Sequence, residues 1–363
     1  MHMADALLSP TVGGAFLGVS GGLIAFSARR LGREADERRV PLMGVLGAFV
    51  FAAQMINFAI PGTGSSGHLG GGMLLAILVG PYAAFLVIAS VLVIQCLFFL
   101  DGGILALGTN IFNLGVWPCF LGLLIYRAIA GRRSASWRLW PASIVAVVAS
   151  LELGALGVVV QTLLSHRVSL PFGRFAALMM GVHLPIAVVE GVITAAVVQY
   201  VRAIRPAVVA MGERPEPESA AAAVVACAGH RETLAPVVVS FLAMTILAGC
   251  VVAWFASPRP DGLEWSLGRA RTAASAPDSS PLPRLGRFQK KMALMPDYDF
   301  RRAPGSGPDA VGAVSTTESR WPNARLGTSV AGLLGAGLTF VLVCLVAAAL
   351  YWFRSRQRNV PSA

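Results

Sequence analysis

Apolar residues in this chain come in long runs rather than in alternation, and short polar stretches divide the runs. A run approaching ~20 residues is the length of a helix that crosses the hydrocarbon core of a bilayer. The pattern predicts spans at about 12–28, 41–60, 69–79, 82–100, 103–126, 139–164, 173–201, 234–255 and 328–353. The third and fourth are short, and Gly80-Pro81 between them is a natural break. Two short tilted segments or a re-entrant hairpin meet the same requirement, a stretch that starts and finishes on one side. The expected fold class is all-α: a polytopic integral membrane helical bundle of about seven transmembrane helices plus two C-terminal ones.

Basic residues in short loops set the direction of each span. Arg29, Arg30, Arg33, Arg38 and Arg39 follow the first span, and Arg127, Arg132, Arg133 and Arg138 follow the fifth. Arg202 and Arg205 end the seventh, and Arg354, Arg356 and Arg358 end the last. All of these belong on the cytoplasmic side of a cell (inner) membrane, with an extracytoplasmic N-terminus and a cytoplasmic C-terminus. The domains expected are 1–205, a transmembrane capture module; 206–233, a cytoplasmic linker rich in Pro, Glu and Ala; and 234–363, a two-span accessory module. Its extracytoplasmic loop, 256–327, is rich in Pro, Ser, Gly and Arg, and much of 268–326 has the composition of a mobile loop.

Composition agrees with a membrane location. The 363 residues are 56% hydrophobic and 13% charged, with a mean hydropathy of +0.70, against roughly a quarter charged in soluble domains. The net charge of +11 sits in the basic loops between apolar runs, a topology signal and not a nucleic-acid surface. Cys96, Cys119, Cys227, Cys250 and Cys344 form no CxxC pair and read as small buried apolar residues. Gly14, Gly18 and Gly22 share a helical face and predict close packing inside the chain, or else a docking face for another membrane subunit.

No GxxxxGK[ST], HExxH or GxSxG occurs in the sequence, which predicts a chain that is not an enzyme and has no ATPase site of its own. The histidines carry the chemistry. Topology puts His2, His68 and His166 toward the outside; His166 beside Arg167 reads as an interfacial residue. In "MHMADALLSP" the Met1 amine, the His2 amide nitrogen and the His2 Nδ1 form two fused chelate rings, three nitrogens in one plane. The amine must shed its proton to ligate. His2 is too large for removal of Met1, so the register is expected to hold. A fourth nitrogen from His68, in the glycine-rich "GTGSSGHLGGG", completes a square, the geometry of Ni(II) or Cu(II). Inside the spans, His183 and Glu190 share a face, as do Asn110 and Asn113; buried hydrogen bonding between helices accounts for such groups, and a second-shell or gating role for His183 and Glu190 is the alternative. Asn57 is a candidate to orient a ligand.

"MHMADALLSP", "GTGSSGHLGGG", "LLAILVGPYAAFLVIASVLVIQCLFFLDGGILALGTNIFNLG" and "MMGVHLPIAVVEGVITA" together resemble the CbiM/NikM family over roughly residues 1–205. These are the substrate-binding membrane subunits of energy-coupling factor transporters for nickel and cobalt. The resemblance is nearer the nickel branch. It implies a transported substrate, Ni2+ before Co2+, and no cofactor; metal ligands Met1, His2 and His68; and as partners an energy-coupling transmembrane subunit and ATP-binding-cassette ATPases. Positions 4–6 read "ADA" where many members read "PDG", without touching those ligands. Pro260-Asp261-Gly262-Leu263-Glu264 is similar to the PDGLE motif of the two-span subunits that accompany these transporters, so the chain resembles a fusion of the two. A metal-gated channel, a secondary carrier or a membrane metal sensor are the other functions open to a chain with these residues.

Overall fold

The computed structural model describes residues 1–34, 39–131, 136–206, 208, 234–271, 281–300 and 326–358. The rest of the connector, with Cys227 and His230, and the basic residues Arg38, Arg132 and Arg133 lie outside the described residues. The chain is a polytopic helical membrane protein. Its helices are α1 (Pro10–Glu34), α2 (Arg39–Gln54), α3 (Gly72–Val79), α4 (Pro81–Phe99), α5 (Leu107–Ala130), α6 (Ser136–Ser165), α7 (Phe172–Ile204), α8 (Ala235–Cys250), α9 (Gly262–Ala270), α10 (Pro283–Met292) and α11 (Leu326–Arg358). By length and composition six can cross a membrane: α1, α4, α5, α6, α7 and α11. The apolar helices α2 and α8 are shorter.

Four expectations need correction. First, α2 stops at Gln54, not near 60; the chain then forms a two-stranded antiparallel hairpin, β1 (Phe58–Ala59) with β2 (Ser66–Gly67). The run is mostly apolar, broken only by Gln54 and Asn57, but is turned by Pro61 and the residues after it, which apolar length alone does not register. Second, the pair 69–79 and 82–100 is unequal. α3 has eight residues, a rise of about 12 Å, whereas α4 has nineteen. Gly80 breaks them at φ 85°, and Pro81 opens α4, where its missing N–H costs nothing. Both ends of the pair adjoin the same cluster of residues around His2, so in form it is a hairpin with one short arm.

Third, Gly14, Gly18 and Gly22 pack against nothing: a Cβ built on any of them finds no atom within 4 Å. α1 instead approaches α5 at Gly108, close to the α1 backbone at Leu17. Fourth, part of the stretch read as a mobile loop is built. α10 lies against the end of α4, where the Gln289 side-chain amide donates to the carbonyls of Cys96 (2.9 Å) and Gly102 (2.7 Å). Leu294 and Met295 donate backbone N–H groups to the Phe98 carbonyl, and Tyr298 stacks on Phe99 at 5.0 Å.

Packing follows the apolar pattern. α6 runs along α7, and α2 lies between α8 and α11, so the two apolar helices of the second module flank α2 of the first. α9 packs on α7. Within α5, residues Phe112–Gly122 take wider π turns around Pro118, which lacks the N–H to bond back to Leu114.

Candidate metal centre

The first nine residues form a plug, not a tail. Met1, Met3, Leu7 and Leu8 are buried, and fully burying a side chain of this kind contributes about 1.5–3 kcal/mol. Polar contacts fix the register. The Met3 N–H donates to Asn110 Oδ1 at 2.8 Å, and the Met3 carbonyl accepts from Asn110 Nδ2 and from the Gly103 N–H. The Ala106 N–H donates to the Asp5 carboxylate at 3.1 Å. Asn110 therefore holds the N-terminus, while Asn113, expected on the same helix face, pairs both ways with Gln161 at 2.7 and 3.1 Å.

This plug brings His2 to His68. Their rings lie parallel within 9°, centroids 5.1 Å apart. His68 Nδ1 is 3.0 Å from the Leu69 carbonyl, which can only accept, so Nδ1 carries the proton. Its Nε2 is buried and without a partner: a lone pair facing inward, on an imidazole oriented through its other nitrogen as metal-ligating histidines are. His2 Nδ1 is 3.2 Å from Asp101 Oδ1, and the other oxygen of Asp101 accepts from the Tyr298 hydroxyl at 2.6 Å. The Met1 amine is 3.2 Å from Asp261 Oδ2. Two proposed nitrogen donors are thus held by carboxylates: the Met1 amine, once it has shed a proton to ligate, can still donate a remaining N–H to Asp261, whereas His2 would have to turn Nδ1 away from Asp101.

The loop carrying His68 is anchored from two helices. Glu190 on α7 accepts from the Gly70 N–H at 2.7 Å and the Gly71 N–H at 2.9 Å, one oxygen each. Gln54, at the end of α2, donates to the Gly70 carbonyl at 2.8 Å and accepts from Gln95 at 2.7 Å. Gly71 sits at φ +76°, a left-handed conformation that any side chain would strain, with Val50 against it as well. His183, one α7 face away from solvent, donates Nδ1–H to the Met179 carbonyl at 2.6 Å and borders a cavity of about 10 Å3 with Met1, His68, Asp261 and Gly262. That is near the minimum for one water-sized ligand. Asn57 lines the larger cavity together with His2 and His68; its side-chain oxygen has no partner, and its backbone carbonyl accepts from the Ser257 N–H. Sequence reasoning missed Gln54, Gln95 and Asp101; the signal was present in two amides inside apolar runs.

Burial sets the protonation of both rings. It drives His68 down to about 3, helped by the terminal ammonium and by His2, and it lowers His2 despite the opposing pull of Asp101. Burial would raise Asp261, but the terminal ammonium and the Glu264 N–H outweigh it and hold the carboxyl at about 2. Both imidazoles are accordingly neutral, the form that ligates a metal. A lowered pKa means that the neutral form persists as pH falls through the ordinary histidine range. In histidine NMR, the His68 signals are expected to stay at neutral-ring positions from pH ~8 to ~5, below the usual midpoint of ~6.5; a midpoint inside that range would show an exposed ring.

A larger cavity of about 710 Å3 opens beside His2 and His68. Asp101, Asp261, Glu264, Asp297 and Asp299 line it, with Arg259 as a counter-charge. A cleft with this excess of carboxylates concentrates cations next to the paired histidines. Among the described residues, no group of three or more His, Cys, Asp or Glu side chains is arranged to hold a metal; the proposed chelate draws two of its four nitrogens from the terminus and the backbone.

Comparison with known proteins gives the same outline. The profile described as "Cobalt uptake substrate-specific transmembrane region" matches residues 2–208, and that of the PDGLE domain matches residues 235–351. A relative in Archaeoglobus fulgidus, named provisionally as a fused nickel transport protein, NikMN, is 39% identical over 233 residues, 62% of this chain and 73% of its own length. The cobalt transport protein CbiM of Sorangium cellulosum is 32% identical over 213 residues, 57% of this chain and 93% of its own. A solved transition metal transporter is 32% identical, with a TM-score of 0.50 over 56% of this chain and 93% of that one.

Proposed function

The chain belongs to the CbiM family, carries a PDGLE domain behind that region, and is a membrane component of nickel/cobalt transport; from this premise we propose that it is the metal-capture subunit of an energy-coupling factor transporter that prefers Ni2+ to Co2+. The observation that carries the reading is the meeting of the buried Met1 with the stacked, half-buried rings of His2 and His68, whose His68 Nε2 lone pair is buried and unpartnered. The Met1 amine, the His2 amide and imidazole, and His68 are the ligands. Four nitrogens in a plane suit d8 Ni(II) better than Co(II), and divalent affinity also rises from Co to Ni. His183 and Glu190 support the site from α7 without ligating.

Energy comes from partners: an energy-coupling transmembrane subunit and ATP-binding-cassette ATPases. The open stripe of Gly14, Gly18 and Gly22 on α1 supports a surface where another membrane helix can approach closely. The capture site faces outside a cell (inner) membrane and the C-terminus faces the cytoplasm. Residues 1–205 capture the metal, 206–233 connect, and 234–363 assist. Titrating the purified protein with Ni(II) and with Co(II) tests the site. One equivalent of Ni(II) is expected to bind with a square-planar ligand-field band, and Co(II) more weakly; equal affinities with an octahedral Ni(II) spectrum would overturn the assignment. In vesicles, uptake against a gradient is expected only when the ATPases and coupling subunit are present.

A further inference from the structure

The PDGLE segment meets the capture site residue by residue. The Pro260 carbonyl accepts from the Ser66 N–H at 2.8 Å, and the Ser66 hydroxyl donates to the Arg259 carbonyl at 2.7 Å, two residues before His68. Asp261 divides its oxygens: Oδ1 caps α9 by accepting the Glu264 N–H at 2.7 Å, and Oδ2 faces the Met1 amine at 3.2 Å. Gly262 lies so close to α7 that a Cβ there would stand 2.7 Å from Val182 and 3.0 Å from His183. Leu263 is buried, and Trp265 packs on Ile60, Val182 and Ile186. One short segment of the second module therefore grips both the His68 loop and the chain terminus.

We propose that Asp261 is a positioning residue for metal capture: acting from the second module, its Oδ2 fixes the Met1 amine where chelation needs it, so that the two modules build one site. The inference rests on the proposed ligand set. A free amino terminus is the most mobile donor a chain possesses, and a chelate loses affinity when its donors must be ordered on binding. The terminal side chain of Met1 is only 5% exposed, and Asp261 is the group that meets its charged nitrogen. A charge-assisted bond of this kind fixes direction as well as position. Gly262 fits the same account, because any side chain there would push Asp261 off the terminus.

The test uses the full chain with Asp261→Asn and Asp261→Ser. Both replacements can still cap α9. Asn has a single acceptor oxygen, which the cap uses, and Ser is too short to reach Met1. Ni(II) affinity is expected to fall about 10–100-fold in both variants, the loss typical when a residue that supports a metal ligand is removed. The ligand-field band at saturation should keep its position, because the donors are unchanged. Acylation of the terminal amine in the metal-free protein should speed up in both. Wild-type affinity and acylation rate in both variants, with binding lost in a His68→Ala reference, would refute the positioning role and leave the capture site standing. Wild-type Ni(II) binding by His68→Ala would remove the site itself, and this inference with it.

Discussion

Acetylating the terminal amine is expected to reduce Ni(II) affinity by well over 100-fold, more than the ~10–100-fold that loss of a supporting residue costs a metal site. The acetyl group removes more than one donor. It turns the amine into an amide with no available lone pair. It also takes away the anchor next to the His2 amide, and a backbone amide gives up its proton to a metal only when an adjacent donor already holds that metal in place. Two of four nitrogens go, leaving His2 and His68 imidazoles without fused rings. Preference for Ni(II) should go as well, because it depends on the planar set. The Met1 amine also faces Asp261, so acetylation deletes that ion pair; Asp261→Asn, which deletes the pair and spares the nitrogen, separates the two effects. His68→Ala is expected to lower affinity comparably while leaving the terminal chelate intact. Titration of acetylated and free protein, followed by the ligand-field band, checks the result. Matching affinity and spectrum in the two would show that the terminus is not a ligand.

The parts of this site that could be read from the sequence are those whose chemistry is local. Met1 and His2 are neighbours, so their chelate rings are a property of adjacency. His68 stands among glycines, and the loop those glycines permit is the loop found. What holds these groups is not local. Asp261 meets the Met1 amine across 260 positions, and Asn110 meets Met3 across 107. Periodicity places Asn110 and Asn113 on one face, yet the wide π turns that begin at Phe112 separate their partners. Gln54 and Gln95 stood out only as amides in apolar runs. The helical bundle itself was legible because apolar length is a bilayer dimension. The early end of α2 was not, because the residues after Gln54 stay mostly apolar up to Ile60 while Phe58 and Ala59 already serve a hairpin.

Glu190→Gln is expected to weaken Ni(II) binding about 10–100-fold while leaving the spectrum at saturation unchanged. Glu190 is 3% exposed and touches no proposed ligand; it acts through the backbone of the loop. Its two oxygens accept the Gly70 and Gly71 N–H groups at 2.7 and 2.9 Å. A buried N–H left without a hydrogen-bond partner costs about 1–3 kcal/mol. Gln keeps one acceptor oxygen and points an NH2 group at a second N–H donor, so one of the two bonds is lost and a donor–donor contact replaces it. The segment after His68 then keeps one of these two bonds and the Gln54 bond to Gly70. His68 stays in the sequence but is no longer fixed, and binding must order it. Amide hydrogen exchange at Gly70 and Gly71 should accelerate in the metal-free variant and slow again with Ni(II) bound, since the metal restores from the ligand side what Glu190 supplied from α7. A fall in affinity without faster exchange at these two amides would mean that Glu190 acts by another route. Unchanged affinity would mean that Gln54 and the glycine backbone hold His68 without it.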